Sequence, residues 1–370
     1  MESRYIHINL HALARNFTLV QQLIGNRKIM PIVKANAYGH GLVECALFFE
    51  KLGAHYLGIA LIEEAIQLRK AGITIPLLVL GSITSDQIPL FLQHNIDIMA
   101  SSIERLTIIN QIATQYNTKA RVHLKIDTGL GRIGVRYQNA ESFILQTVRL
   151  PHIEVIGIAS HFATADTRDV SYTKEQCDRF YQAAYTFEKH SLPTPLRHIA
   201  NSGAIMNYED SYFDMVRPGI MLYGVYPQTW MQELHILLPV MSLYARVVYF
   251  KVLLENTGVS YGLTWKTQKN TRVITLPIGY GDGYPRALSN KGHVLLHGNK
   301  YPIIGTICMD QMMINIGSGN GYNGDQVVLI GKSGDQEITI NELVDKYDAS
   351  PYEILVLLNN RIPRHYISGT

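Results

Sequence analysis

A lysine follows the apolar run Met30–Val33, and small residues, a tyrosine and a histidine follow the lysine: Lys34-Ala35-Asn36-Ala37-Tyr38-Gly39-His40-Gly41. An amine at the end of a buried strand is partly desolvated. Desolvation lowers its pKa and leaves it nucleophilic, as Schiff-base formation requires. The plainer alternative is a lysine that snorkels from a strand end to water. The small residues that follow favour the first reading, because they let a ligand approach the backbone.

Four further clusters carry reactive side chains. Arg132 stands in Gly129-Leu130-Gly131-Arg132-Ile133-Gly134, which formally matches GxGxxG after a strand. That dinucleotide fingerprint is a decoy here: an Arg occupies an inner position, and Glu154, the acidic residue some 20 positions on, opens a strand instead of closing one. A loop that offers an arginine to a carboxylate or phenolate fits better. His161 follows Ser160 at another strand end and could be a ligand, a base, a stacking ring or simply hydrogen-bonded. Metal binding is disfavoured, because Asp166 is the only other ligand type nearby and no HxH or HExxH pattern occurs. Asn201-Ser202-Gly203 lacks a GxSxG elbow, so Ser202 is not a hydrolase nucleophile. With the backbone at Gly219, Ser202 suits a phosphate instead, and Arg217-Pro218-Gly219 borders the same region.

Eight short β-branched runs must position these groups: Met30–Val33, Tyr56–Ala60, Leu77–Leu80, Ile96–Ala100, Arg121–Ile126, Val155–Ala159, Leu196–Ala200 and Gly219–Gly224. Helically spaced segments lie between them, including Leu42–Leu52, Ile62–Ala71, Ile103–Tyr116 and Thr173–Lys189. Alternation of this kind means βαβ units and a parallel sheet. The count predicts a (β/α)8 TIM-type barrel, with the reactive clusters gathered on the rim at the C-terminal ends of the strands. Beyond about residue 238 helical spacing gives way to Val247–Leu254, Thr271–Pro277, His293–Leu296, Tyr301–Ile304, Gln311–Ile316 and Gln326–Ile330, separated by Gly-rich turns. That texture predicts a mainly antiparallel β domain with a late helix, Ile340–Tyr347. The expected division is 10–238 for the barrel and 239–370 for the β domain, with a strand from 1–9 joining the latter.

Composition sets the limits. The chain has 370 residues, 47% of them apolar and 17% charged, which excludes disorder and suggests two domains. A net charge of +3, with no basic run, argues against a nucleic-acid partner. Cys45, Cys177 and Cys308 form no CxxC pair, so neither a disulfide scaffold nor a structural zinc site is indicated. Reduced thiols and the lack of an apolar leader or long apolar stretch predict a cytoplasmic chain.

Taken together, VKANAYGHG (33–41), KIDTGLGRIG (125–134), SHFATAD (160–166), ANS (200–202), VRPGI (216–220), VSYG (259–262), GYGDGY (279–284) and ICMDQ (307–311) resemble the alanine racemase family. These are pyridoxal-phosphate enzymes with a barrel and a C-terminal β domain. The resemblance covers nearly the whole chain. It implies that Lys34 holds pyridoxal 5'-phosphate covalently and that Tyr38, Asn201, Ser202, Gly219 and Ile220 bind it. His161 would lie against the ring and Arg217 would face the pyridine nitrogen. Arg132 would meet the phenolic oxygen and the substrate carboxylate, positioned by Lys125, which is carbamylated in some members. Tyr261 and Met309, with Asp310, would enter the site from the partner subunit of a homodimer. Lys34 and Tyr261 would then be the two bases of a racemase, with His161 and Arg217 lowering the tyrosine's pKa.

One position departs from the family pattern. Asn360 stands before Arg361-Ile362-Pro363-Arg364, where the family often has a tyrosine that contacts the phosphate and borders the substrate. A smaller, amide-bearing residue suggests a pocket for serine as well as alanine. Membrane-anchored serine/alanine racemases of glycopeptide (vancomycin) resistance clusters resemble this pattern, so the parent protein could be membrane-attached. Either substrate would feed D-amino acids to cell-wall precursors. The rival readings are a decarboxylase of the same cofactor fold using Cys308, a non-catalytic cofactor-binding barrel, and a metal-dependent barrel hydrolase.

Overall fold

The computed structural model describes residues 2–368. Eight short parallel strands form a barrel: Lys28–Ile29, Leu57–Ile59, Leu77–Val79, Asp97–Ala100, Ala120–Asp127, Ile153–Ala159, Leu196–His198 and Met215–Val216. The second to the seventh pair in sequence order, and the eighth pairs with the first. Backbone bonds at the two remaining junctions complete the ring. Val33 donates to Gly58 O at 2.9 Å between strands one and two, and Asp214 donates to Arg197 O at 3.1 Å between strands seven and eight. The strands are largely buried because both faces are covered, by side chains inside and helices outside.

The eighth strand is not the expected Gly219–Gly224. The pairing segment is Met215–Val216, and Ile220–Tyr223 forms a fully buried 3-10 turn beyond it. Arg217, Pro218 and Gly219 therefore follow the last strand and lie on the C-terminal rim with the other clusters.

The β domain is a ten-stranded sheet. Its spatial order is Tyr249–Leu253, Thr271–Leu276, Met312–Gly317, Asn299–Ile304, His293–Leu296, Gln326–Ser333, Met241–Arg246, Arg4–Asn9 and Arg364–Ile367, with Gln336–Ile338 beside Gln326–Ser333. All neighbours are antiparallel except Arg4–Asn9 with Arg364–Ile367. Asn9 ends the first of these strands and also caps the helix Leu10–Ile24, its side chain accepting from Ala12 N at 3.0 Å. The chain thus passes from the β sheet into the barrel without a loop. A helix not expected from the sequence, Pro351–Leu357, leaves the β domain and packs on the barrel rim beside Lys34–Tyr38. Among the described residues no helix is long and apolar enough to cross a membrane.

Candidate active site

A cavity of about 580 Å³ opens at the C-terminal rim of the barrel, within the size range of small-molecule sites. Lys34, Tyr38, Lys125, Arg132 and His161 line it. So do Asn201, Ser202, Arg217, Gly219 and Ile220. Ten expected site residues from the ends of strands one, five, six, seven and eight therefore converge on one space.

Lys34 begins a turn with an unusual backbone. Ala35, Asn36, Ala37 and Tyr38 have φ of 54°, 56°, 52° and 53°, a run of left-handed residues without a glycine. Each such residue costs roughly 1–2 kcal/mol, so the surroundings must hold the turn. Glu64 accepts from Ala35 N at 2.7 Å, and Asn36 Oδ1 accepts from Leu42 N at 2.9 Å. Ala37 N donates to Val33 O at 2.8 Å. The turn brings the lysine and the Tyr38 ring to the same cavity. Burial, then the positive charge of Arg132, lowers the Lys34 pKa.

At one end of the cavity, Ser202 Oγ accepts from Gly219 N at 2.9 Å. A Cβ on Gly219 would lie 2.6 Å from the Tyr38 hydroxyl, so only glycine allows this close approach. Asn201 caps the helix Ser202–Asn207, accepting from Ala204 N at 3.0 Å. Two hydroxyls and the backbone at 219–220 thus share one small region.

Arg217 is buried and its terminal nitrogens are fully engaged. Nη1 donates to His198 O at 2.7 Å and His198 Nδ1 at 2.8 Å; Nη2 donates to Ser160 O at 2.7 Å and Ile199 O at 3.0 Å. His161 Nδ1 lies 3.2 Å from Nη2. Burial, then Arg132, pulls the Arg217 pKa down to about 9, so the guanidinium remains charged at neutral pH. Burial, then Arg217, drives His161 well below its usual value. His161 is therefore neutral and adds no positive charge to the site, contrary to the cationic role expected of it. Lys125 is buried between two arginines: burial, then Arg217 and Arg132, lowers its pKa strongly.

The Gly129–Gly134 string is a loop, not a strand-to-helix turn. Asp127 Oδ1 accepts from Gly129 N at 2.9 Å and Gly131 N at 3.1 Å, folding the loop back on the strand end. The short strand Val135–Arg136 then pairs with the end of strand five. The glycines serve this folding: a Cβ on Gly134 would lie 2.7 Å from Asp127 N. Arg132 is thereby presented to the cavity.

Four expected residues do not line it. Tyr261, 73% exposed, and Met309, 52% exposed, sit on the surface of the β domain. Tyr261 borders a second hollow of about 580 Å³ with Ser260, Cys308 and Met313. Asp310 bonds Arg361 at 2.6 Å. The Asn360 Oδ1 accepts from Asn36 Nδ2 at 3.2 Å and so supports the left-handed turn. Two residues that were not expected, Tyr352 and Val356 of the helix Pro351–Leu357, do line the cavity. The Ser350-Pro351 pair, a helix-start signal, was the available clue to that helix.

Residues 8–227 match the family model "Alanine racemase, N-terminal domain", and residues 240–366 match "Alanine racemase, C-terminal domain". The chain belongs to the alanine racemase family. The alanine racemase of Halothermothrix orenii is 42% identical over 364 residues, covering 98% of this chain and 96% of that protein. Among solved structures, an alanine racemase of Clostridium difficile 630 superposes with a TM-score of 0.94 at 34% identity, covering 99% of this chain and 96% of that one. An alanine racemase of Bartonella henselae, described with covalently bound pyridoxal phosphate, gives a TM-score of 0.91 at 29% identity, covering 99% of this chain and 100% of that one. Alanine racemases are isomerases that depend on pyridoxal phosphate. Nothing in these relationships supports a decarboxylase, or activity on serine beside alanine.

Proposed function

We propose that this chain interconverts L- and D-alanine with pyridoxal phosphate held in the barrel cavity. The observation that carries the reading is a desolvated Lys34 amine sharing one cavity with the Tyr38–Ser202–Gly219 cradle and a charged Arg217, in a chain of this family.

These residues fit the cofactor. The cradle, closed to any side chain at Gly219, suits a phosphate flanked by the Tyr38 and Ser202 hydroxyls and the backbone of Gly219 and Ile220. Asn201 fixes the turn that carries Ser202. Both terminal nitrogens of Arg217 are committed to protein acceptors, which leaves its Nε–H as the donor for a ring nitrogen. An arginine does not readily surrender a proton, so it hydrogen-bonds that nitrogen without protonating it and limits side reactions. When bound, pyridoxal phosphate makes the Cα proton of an attached amino acid acidic by spreading the charge left behind.

The protein's own groups manage the proton. The Lys34 amine, its pKa lowered by burial and then by Arg132, would be the base on one face of Cα. Arg132 binds the substrate carboxylate. Tyr261 of the partner subunit serves the other face and acts on the L-enantiomer. A free phenol, with a pKa near 10, is a poor base at neutral pH. Arg217 and Arg132 supply positive charge on the cavity side that this base faces, and His161 serves as a flat ring neighbour. Met309 and Asp310 of the partner subunit complete the substrate side.

Shared sites require a homodimer. Tyr261, Leu263, Met309, Val252 and Leu254 form exposed apolar surface on the β domain, and a second copy is the occupant that brings Tyr261 to a cavity. The working boundary between the two domains is 238/239. Lys125, its pKa pushed down by burial and then by Arg217 and Arg132, is suited to attack CO2 and lose a proton, giving a carbamate that pairs with Arg132. A carbonyl signal from 13C-bicarbonate at Lys125 checks this.

The function is tested by a chiral assay. The wild-type protein converts L-alanine to the racemate, and Lys34→Ala does not. Serine is the comparison substrate: Asn360 is bonded to Asn36 and does not line the cavity, so alanine is preferred. No racemisation by the wild type would refute the reading.

A further inference from the structure

Buried polar side chains cross the barrel interior in a line that the chemistry above does not use. Arg217 Nη1 donates to His198 Nδ1 at 2.8 Å. His198 Nε2 lies 2.8 Å from His123 Nδ1. His123 Nε2 lies 3.3 Å from Asp97 Oδ2, and Arg121 Nε donates to Asp97 Oδ1 at 2.7 Å. His123 and His198 are 0% exposed and Asp97 is 1% exposed. The line runs from the rim cavity through strands seven, five and four.

The chemistry of the groups sets its direction. An arginine only donates, so His198 Nδ1 is bare. A neutral imidazole then carries its hydrogen on Nε2 and donates it to His123 Nδ1. His123 in turn carries its hydrogen on Nε2 and donates it to the Asp97 carboxylate, which only accepts. The reverse direction is disfavoured at both ends: the Asp97 carboxylate offers no donor to a bare His123 Nε2, and a His198 Nδ1–H would face the Arg217 N–H across 2.8 Å. A second proton on either ring would set two N–H groups against each other across 2.8 Å. Burial, then the charge of Arg217, also keeps His198 well below its usual pKa. For Asp97, burial alone would raise the pKa, but the bonds from His123 and Arg121 outweigh it and the carboxyl stays ionised. The sixth strand makes room for this line: a Cβ on Gly157 would lie 2.1 Å from His123 Nδ1.

We propose that Asp97 is a remote positioning residue for Arg217, acting through His123 and His198, whose tautomers it fixes. The backbone carbonyls around Arg217 are acceptors under all conditions, but His198 is an acceptor in only one tautomer. Asp97 locks that tautomer from the far end of the line. The catalytic consequence rests on the reading of Arg217 as the partner of the cofactor ring.

The test uses 15N-histidine NMR of the full-length protein at neutral pH. His123 and His198 both show a bare Nδ1 and a protonated Nε2. In Asp97→Asn the amide can donate to His123, so His198 shifts towards the Nδ1–H tautomer, whereas Arg121→Gln leaves both tautomers in place. In the same Asp97→Asn protein kcat falls roughly 10- to 100-fold, the usual cost of removing a group that orients a functional ligand, while KM is nearly unchanged. A wild-type His198 that carries its hydrogen on Nδ1, or an Asp97→Asn protein with unshifted tautomers, would overturn the proposal. The wild-type spectrum needs no variant and no activity, so it decides the relay even if Asp97→Asn does not fold or the racemase reading fails.

Discussion

The Tyr38 hydroxyl lies against Gly219 so closely that a methyl group there would stand 2.6 Å from it. The contact joins the turn after strand one to the segment after strand eight, at the point where the barrel closes. Gly219→Ala forces Tyr38 aside. Overpacking of this kind costs about 1–3 kcal/mol, so the Kd for pyridoxal phosphate rises roughly tenfold or more. Fluorescence titration of the apoprotein measures it; an unchanged Kd would show that the cradle does not hold the cofactor.

Tyr352 closes the cavity with its ring 6.0 Å from that of Tyr38. Burial, then Asp166, keeps its phenol protonated, so its contribution is packing and not charge. Tyr352→Phe binds pyridoxal phosphate and alanine as the wild type does. Tyr352→Ala weakens cofactor binding about tenfold, in keeping with a lost aromatic contact. Equal behaviour of the two variants in titration would remove Tyr352 from the site.

The left-handed turn makes an unusual stability prediction. Glycine within a helix normally destabilises, but Ala35 is exposed and sits at φ 54°. Ala35→Gly is neutral or stabilises by up to about 1 kcal/mol, because glycine adopts this backbone without strain. Ala35→Val destabilises by more than about 1 kcal/mol, since a β-branched residue tolerates the region poorly. Urea unfolding ranks the three proteins, and a less stable Ala35→Gly would contradict the account of the turn.

Much of this was legible in the sequence. Strands two to seven were found from short β-branched runs, and the rim residues from the polar residues that follow them. The eighth strand was misplaced because Met215–Val216 is only two residues long, while the apolar Gly219–Gly224 is buried as a 3-10 turn. An apolar run reports burial and does not by itself report strand. The left-handed turn was hidden, because Ala-Asn-Ala-Tyr holds one residue type that favours positive φ. His123 and His198 read as ordinary residues inside strands, and only the assembled barrel sets them 2.8 Å apart. Asn360 kept its neighbours in sequence, but its amide turned to Asn36.

Tyr261 gives a prediction about assembly. Lys34→Ala and Tyr261→Phe are each nearly inactive alone. When they are mixed under conditions that exchange subunits, hybrid dimers carry one site with both residues intact, and racemase activity reappears. Activity that stays absent after proven exchange would mean that Lys34 and Tyr261 act within one chain or not together.

The central claim is that Lys34 carries pyridoxal phosphate in the barrel cavity. Borohydride reduction of the cofactor-loaded protein, followed by peptide mass mapping, tests it most directly. The account predicts loss of the visible absorbance band and a single pyridoxyl label on Lys34. A label on another lysine, or an intact band with no label, would contradict it.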